Sequence, residues 1–261
     1  MSGDAVALPG DIAVIVAAYN EAERISATLA ALARAFPGAE LWVADDGSTD
    51  ATAVIARAAG ARVVRSERVV GKGEAVTGAA HNALRWASTR AREHARAYGV
   101  FEMDVHGARA PDGEQDDHWP IFLLCDGDLG ESAASLAPLV YAVRHGEGDL
   151  AVARFSRRVG GGVGLAVGFA RFAIRRRCGL RAQAPISGQR ALRAQALERT
   201  LPFAHGFGME IGMTIDAVHA GLRVVEVELD LTHRATGRTL GGFLHRGRQL
   251  LDFVRVYLAR R

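Results

Sequence analysis

The chain has 261 residues, 49% hydrophobic and 23% charged, with a formal net charge of +3. That length buries a sizeable core, as one large domain or as two halves sharing one core. Two cysteines, Cys125 and Cys178, exclude a disulfide framework, and no apolar run approaches the ~20 residues that cross a bilayer.

Residues 1–10 carry Asp4 and no basic side chain, so they do not read as a secretory signal. With both cysteines in apolar surroundings, a reduced, cytoplasmic protein is expected. Asp11 to Ala17 is a short β-branched run suited to a buried parallel strand. Asn20 is placed to cap the next helix, with Glu21 and Glu23 in its first turn and Ile25, Leu29 and Leu32 on its inner face. Pro37-Gly38 ends it. Glu40 to Ala44 reads as a second strand, and the polar turn Asp45 to Asp50 leads into a helix reaching about Gly60. Ala61 to Arg65 is a third strand, and a long helix runs from Gly71 to about Arg92.

Strand, helix, strand, helix, strand predicts an α/β fold, with a mostly parallel sheet covered by helices on both faces. Right-handed crossovers bring the strand C-termini to one edge, where ligands bind. Both sharp polar turns, Tyr19 to Glu21 and Asp45 to Asp50, fall there.

Periodicity fails between about Glu93 and His118, which predicts a surface excursion. Trp119 to Cys125 is almost wholly apolar, hence a central strand, and it runs directly into Asp126-Gly127-Asp128. Further on, Ser132 to His145 reads as helix and Asp149 to Ala153 as strand. A glycine-rich stretch from Gly160 to Gly164 precedes an amphipathic segment ending in Arg175-Arg176-Arg177. Met209 to Ala220 is a predicted helix, Leu222 to Leu231 a strand and Phe243 to Leu258 a terminal helix.

A strand alternates its side chains, so Asp126 and Asp128 are able to present two carboxylates to one site. Paired carboxylates stay ionised best around a cation, and hard Mg²⁺ or Mn²⁺ suits oxygen ligands while keeping positions for a diphosphate. The bland reading of the same triplet is an acidic surface turn. Of 32 basic residues, Lys72 alone is lysine, and it stands between Gly71 and Gly73. A compact ammonium retained there suggests a position too narrow for guanidinium.

The segments Ala17-Ala18-Tyr19-Asn20-Glu21, Ala44-Asp45-Asp46-Gly47-Ser48-Thr49-Asp50, Gly71-Lys72-Gly73-Glu74 and Cys125-Asp126-Gly127-Asp128 follow one another in this order. Together they resemble the family 2 glycosyltransferases of GT-A fold, in the branch with dolichyl-phosphate mannosyltransferase and the glucosyl-3-phosphoglycerate synthases. The resemblance implies a hexosyltransferase that uses a UDP or GDP sugar and Mg²⁺ or Mn²⁺. Residues 1–128 would then form the nucleotide-sugar half and 129–261 the acceptor half of one domain. The resemblance places Tyr19, Glu21 and Asp46 around the nucleoside, Lys72 at the ribose or diphosphate, Asp126 facing the ribose and Asp128 on the metal. Each has a plainer alternative: Tyr19 packing, Glu21 serving a helix dipole, Asp46 capping a helix.

In the second half, Ser187-Gly188-Gln189-Arg190-Ala191 resembles the family's acceptor-side segment, which makes Ser187 and Arg190 acceptor candidates. Gly206 to Gly212 resembles the Gly-x-Gly-x-Glu-Ile segment of the phosphoglycerate branch. Its Glu210 serves either to orient or deprotonate an acceptor hydroxyl, or simply to complement a helix dipole. His233-Arg234 resembles a pair that completes the metal site. Arg154, Arg157 and Arg158 follow a strand at the ligand edge, and arginine forks favour an anionic acceptor.

A soluble phosphoglycerate-like acceptor is the main expectation. A lipid-phosphate acceptor, with peripheral membrane contact through Val167 to Leu180, is the nearest rival. A homodimer and a non-catalytic nucleotide-sugar-binding protein stay open, and the reading has no role for nucleic acid. A dinucleotide oxidoreductase is disfavoured, because Tyr19-Asn20-Glu21 stands where G-x-G-x-x-G would follow the first strand.

Overall fold

The computed structural model describes residues 12–97, 119–155, 165–229 and 251–260. The predicted excursion before Trp119, Arg157 and Arg158, the Gly160 to Gly164 stretch and His233-Arg234 lie outside them.

The first half alternates as predicted: β1 (Ile12–Ala18), α1 (Ile25–Ala35), β2 (Glu40–Asp45), α2 (Thr52–Ala58), β3 (Arg62–Arg65), α3 (Lys72–Ala97) and β4 (Ile121–Asp126). A 3₁₀ turn (Gly130–Leu136) then leads into α4 (Ala137–Arg144), where the sequence suggested one continuous helix. Pro138 explains the join, since proline lacks an N–H and is accommodated in a helix's first turn. There follow β5 (Leu150–Phe155), α5 (Leu165–Cys178), β6 (Arg190–Leu192), α6 (Ala194–Thr200), α7 (Met209–His219) and β7 (Val224–Leu229). Residues 251–259 form a further helix, α8.

The seven strands make one sheet in the order β3-β2-β1-β4-β6-β5-β7. The pairs β3-β2, β2-β1, β1-β4 and β5-β7 are parallel, and β6 alone runs antiparallel to its neighbours β4 and β5. Neither β6 nor α6 was foreseen. Three residues are too few to show a period, and β6 is completely buried, so it shows no polar alternation.

Strand alternation sorts the core into two layers. Ile12, Val14 and Val16 of β1 pack with Ile25, Leu29 and Leu32 of α1 and with Leu136 and Leu139. Ala13 and Ile15 face the opposite way, toward the Ala79, Ala80 and Ala83 stripe of α3 and Met209 and Met213 of α7. The small side chains let α3 lie close to the sheet. A third cluster joins α5, α7 and α8 through Ala173, Ile174, Ile211, Ile215 and Phe253. No described helix is long and apolar enough to cross a membrane.

One local prediction fails. Asn20 does not cap α1, which starts at Ile25 with no acidic residue in its first turn. Asn20 instead takes the left-handed conformation at φ 55°. Its N–H donates to Ser48 Oγ at 2.9 Å and its Oδ1 accepts the Thr49 N–H at 2.8 Å. The Glu21 N–H likewise donates to Thr52 Oγ1 at 2.8 Å. The turn after β1 is thus bolted to the turn after β2, and those cross-turn bonds outweigh the helix end in fixing Asn20.

Candidate active site

Parallel register brings the site residues to one edge. Ala18 at the end of β1 is level with Asp45 on β2, and Ala17 is level with Asp126 on β4. Tyr19 and Glu21 follow β1, Asp46 follows β2, and Lys72 opens α3 after β3. Tyr19 is exposed and Glu21 half-buried.

Asp46 is buried, and its carboxylate accepts the Val70 N–H at 2.7 Å and the Gly71 N–H at 3.0 Å. It therefore fixes the loop that delivers Lys72 and caps no helix. Gly73 permits the approach that follows, since a Cβ there would stand 1.9 Å from the Ala204 carbonyl oxygen. With the start of α3 packed so tightly against residues 204–206, the Lys72 side chain is aimed at the end of β4.

The Lys72 ammonium donates to Asp126 Oδ1 at 2.7 Å and to Glu210 Oε1 at 2.8 Å. Burial alone would push this group toward neutrality, but the two carboxylates more than reverse that and hold its pKa above the usual lysine range. Lys72 is a permanent cation clamped between the sheet edge and the first turn of α7. The second Asp126 oxygen, Oδ2, accepts from Gln189 Nε2 at 2.7 Å.

Past Asp126 the backbone turns sharply and is fully tied down. The Gly127 N–H donates to the Ala17 carbonyl at 2.8 Å, and the Gly127 carbonyl accepts from Thr28 Oγ1 at 2.7 Å. The same hydroxyl oxygen accepts the Gly130 N–H at 2.8 Å. The turn presents Asp128 to solvent, where it makes no hydrogen bond or ion pair with any described residue. Its charge is felt next door: burial, then the charge of Asp128 and more weakly that of Asp126, raise the Glu21 pKa above the usual carboxylate value. Carboxylates set close enough that the charge of Asp128 raises the Glu21 pKa suit a divalent cation. Among the described residues no three His, Cys, Asp or Glu side chains gather as a metal cluster. Asp128 offers a free hard-oxygen group, which would suit a metal that completes its shell with diphosphate and water.

Two of the second-half candidates are buried in the structure. Arg190 is completely buried: its Nε donates to the Ser187 carbonyl at 2.8 Å and a terminal nitrogen to Thr214 Oγ1 at 3.0 Å. Burial pulls its pKa down to about 10, opposed by Glu210 and Glu226, and it stays charged at neutral pH. It shapes the acceptor-side segment from within and offers no group to a ligand. Glu210 is also buried, and its Oε1 accepts from Lys72 at 2.8 Å. The geometry makes it an anchor for Lys72.

Ser187 is buried, with its hydroxyl 3.3 Å from Gln189 Oε1. Arg154 leaves β5 at the same edge as the other strand ends, but its guanidinium is shared between Gln183, at 2.5 Å, and Glu228. Thr28, Gln189 and Thr214 escaped the sequence reading. Gln189 lay inside a quoted motif, but only the antiparallel turn-back of β6 shows that its side chain reaches Asp126.

The comparisons agree with this geometry. Residues 13–85 match the Glycosyl transferase family 2 model, a span from β1 into α3 that carries Tyr19, Glu21, Asp46 and Lys72. The match over this span and the fold make the chain similar to the family 2 glycosyltransferases of GT-A fold. It is also similar to glucosyl-3-phosphoglycerate synthases. It is 32% identical to that of Mycobacterium tuberculosis over 231 residues, covering 78% of this chain and 60% of the relative. The Mycolicibacterium paratuberculosis protein is 30% identical, with 78% and 59% covered. The chain thus spans about six tenths of the length of these curated relatives. The crystal structure of the Mycobacterium tuberculosis synthase with Mn²⁺, UDP and glucosyl-3-phosphoglycerate superposes with a TM-score of 0.65 and 27% identity, covering 96% of this chain and 80% of that one. The same enzyme with Mg²⁺ and UDP gives 0.64 and 25% identity over 96% and 79%.

Proposed function

We propose that this protein is a metal-dependent glycosyltransferase moving a hexose from a nucleotide-diphosphate sugar to an anionic, soluble, phosphoglycerate-like acceptor. The observation that carries the reading is the Lys72 ammonium held between Asp126 and Glu210, beside the free carboxylate of Asp128. It supports a reading with one fixed cation and one candidate metal ligand at the sheet edge where a diphosphate would lie. The relatives solved with UDP and Mn²⁺ or Mg²⁺ favour UDP over GDP and fit a hard-cation site.

In this proposal Tyr19, Glu21 and the Asp46 loop border the nucleoside, and Asp126 faces the ribose. Asp128 holds the metal, with His233 as a second ligand. A bound Mg²⁺ or Mn²⁺ would supply Lewis-acid neutralisation of the diphosphate. Lys72 adds a preorganised positive charge where negative charge develops as the anomeric carbon–oxygen bond to the diphosphate breaks. The acceptor hydroxyl oxygen forms the new glycosidic bond as the bond to the diphosphate breaks, and its proton passes to the departing diphosphate. Arg154 and the Ser187 segment border the acceptor side, and Arg190 acts there only by supporting Ser187. A guanidinium at Arg154 suits a phosphate or carboxylate acceptor.

The test is a transfer assay with UDP-glucose and Mn²⁺, offering 3-phosphoglycerate in one arm and a short polyprenyl phosphate in vesicles in the other. Glucosylated phosphoglycerate is the expected product. Transfer confined to the polyprenyl phosphate would overturn the acceptor assignment, and transfer to neither from UDP-glucose or GDP-mannose would overturn the function.

A further inference from the structure

The segment read as acceptor-side reaches across to the proposed ribose-binding carboxylate. Gln189 is 1% exposed, and its Nε2 lies 2.7 Å from Asp126 Oδ2. An ionised carboxylate only accepts, so the amide nitrogen must face Asp126 and the amide oxygen must face away, toward the Ser187 hydroxyl at 3.3 Å. Arg190 fixes the next link by donating to the Ser187 carbonyl at 2.8 Å. A second observation comes from the neighbouring glycine. A Cβ on Gly188 would meet both Asp126 Oδ2 and Lys72 Nζ at 2.8 Å. The backbone of this segment is therefore pressed against the Lys72–Asp126 pair itself.

We infer that Gln189 is a positioning residue for the sugar-nucleotide donor: it sets the orientation of Asp126, although it belongs to the segment on the acceptor side. The inference rests on the donor-site reading above. Lys72 takes one oxygen of Asp126 and Gln189 the other, so the carboxylate plane is fixed from two directions before any ligand arrives. A fixed carboxylate loses no rotamer freedom on binding, which favours affinity. The clamp also ties the donor edge of the sheet to β6, the strand that begins at Arg190.

The distinguishing feature is which ligand a change at Gln189 affects. A residue that merely packs the acceptor-side segment would move the acceptor KM. A residue that holds Asp126 moves the donor. Gln189→Met keeps the length and loses the amide donor, while Gln189→Glu sets a carboxyl against Asp126. UDP binding with Mn²⁺ is measured by calorimetry, and the KM of each substrate by initial rates.

The expected result is a UDP Kd about tenfold weaker in Gln189→Met, from loss of a hydrogen bond to a charged group. Gln189→Glu is weaker still, and the acceptor KM holds within twofold in both. Gly188→Ala, which pushes on the same pair from the backbone, weakens UDP binding in the same direction. Unchanged donor affinity in folded Gln189 variants, or a rise confined to the acceptor KM, overturns the inference. If both fail to fold, Gly188→Ala with unaltered UDP affinity overturns it alone. Wild-type protein that binds no UDP with Mn²⁺ overturns the donor-site reading and the inference with it.

Discussion

Lys72 Nζ and Asp126 Oδ1 stand 2.7 Å apart although 54 residues separate them in sequence. The contact joins the first residue of α3 to the last residue of β4, and Glu210 closes it from the second half of the chain. The donor edge is thus assembled from three distant segments around one ammonium.

Removing that ammonium leaves Asp126 and Glu210 as neighbouring carboxylates without their shared counter-ion. Lys72→Met is expected to destabilise the fold by about 3 kcal/mol, in the range found for breaking partly buried ion pairs, as read by urea denaturation. If Lys72 faces the diphosphate as proposed, the change also removes that cation and kcat should fall about 100-fold. Lys72→Arg should recover stability in part but not activity, because a planar fork does not replace a compact ammonium between two carboxylates.

Gly73→Ala tests the packing that aims Lys72. A Cβ 1.9 Å from the Ala204 oxygen forces backbone to move on one side or the other. A loss of about 1–3 kcal/mol is expected from overpacking, seen as a lower Tm, with a weakened UDP affinity because Lys72 shifts with its helix.

Glu21 carries a pH signature. Burial and the charge of Asp128 raise its folded-state pKa above the ordinary value of 4.5, so folding disfavours its ionised form. Stability attached to this group is complete below about 4.5, the unfolded value, and is lost as pH rises through the higher folded value. Glu21→Gln removes that loss. The variant should melt above wild type at neutral pH, with the difference shrinking on acidification. Saturating Mn²⁺ should narrow the neutral-pH gap by stabilising the ionised wild-type cluster.

The first half of the fold was legible because each strand is a short apolar run closed by a polar turn, and the turns carry the chemistry. Trp119 to Cys125 is the clearest case: an unbroken apolar run marked the sheet centre and pointed at Asp126. The lone lysine was legible through composition, since an arginine-rich chain sets Lys72 apart. What escaped depended on long-range contact. Asn20 has the chemistry of a helix cap, and only the Ser48 and Thr49 side of the pocket reveals that it turns away. Arg190 and Glu210 look like surface groups aimed at a ligand. Their burial follows from long-range contacts, Arg190 to Thr214 of α7 and Glu210 to Lys72 of α3, and neither residue carries a local signal of them.

The central claim, that Asp128 holds the metal through which a sugar nucleotide binds beside Lys72, is tested most directly by calorimetric titration of UDP with and without Mn²⁺. Wild-type protein and Asp128→Ala are compared at neutral pH. Metal-dependent UDP binding is expected of wild type, and Asp128→Ala is expected to lose it by at least 100-fold while melting no lower than wild type, because Asp128 is exposed, makes no hydrogen bond or ion pair among the described residues, and repels Glu21. UDP binding that needs no metal, or that survives Asp128→Ala at wild-type affinity, would contradict it.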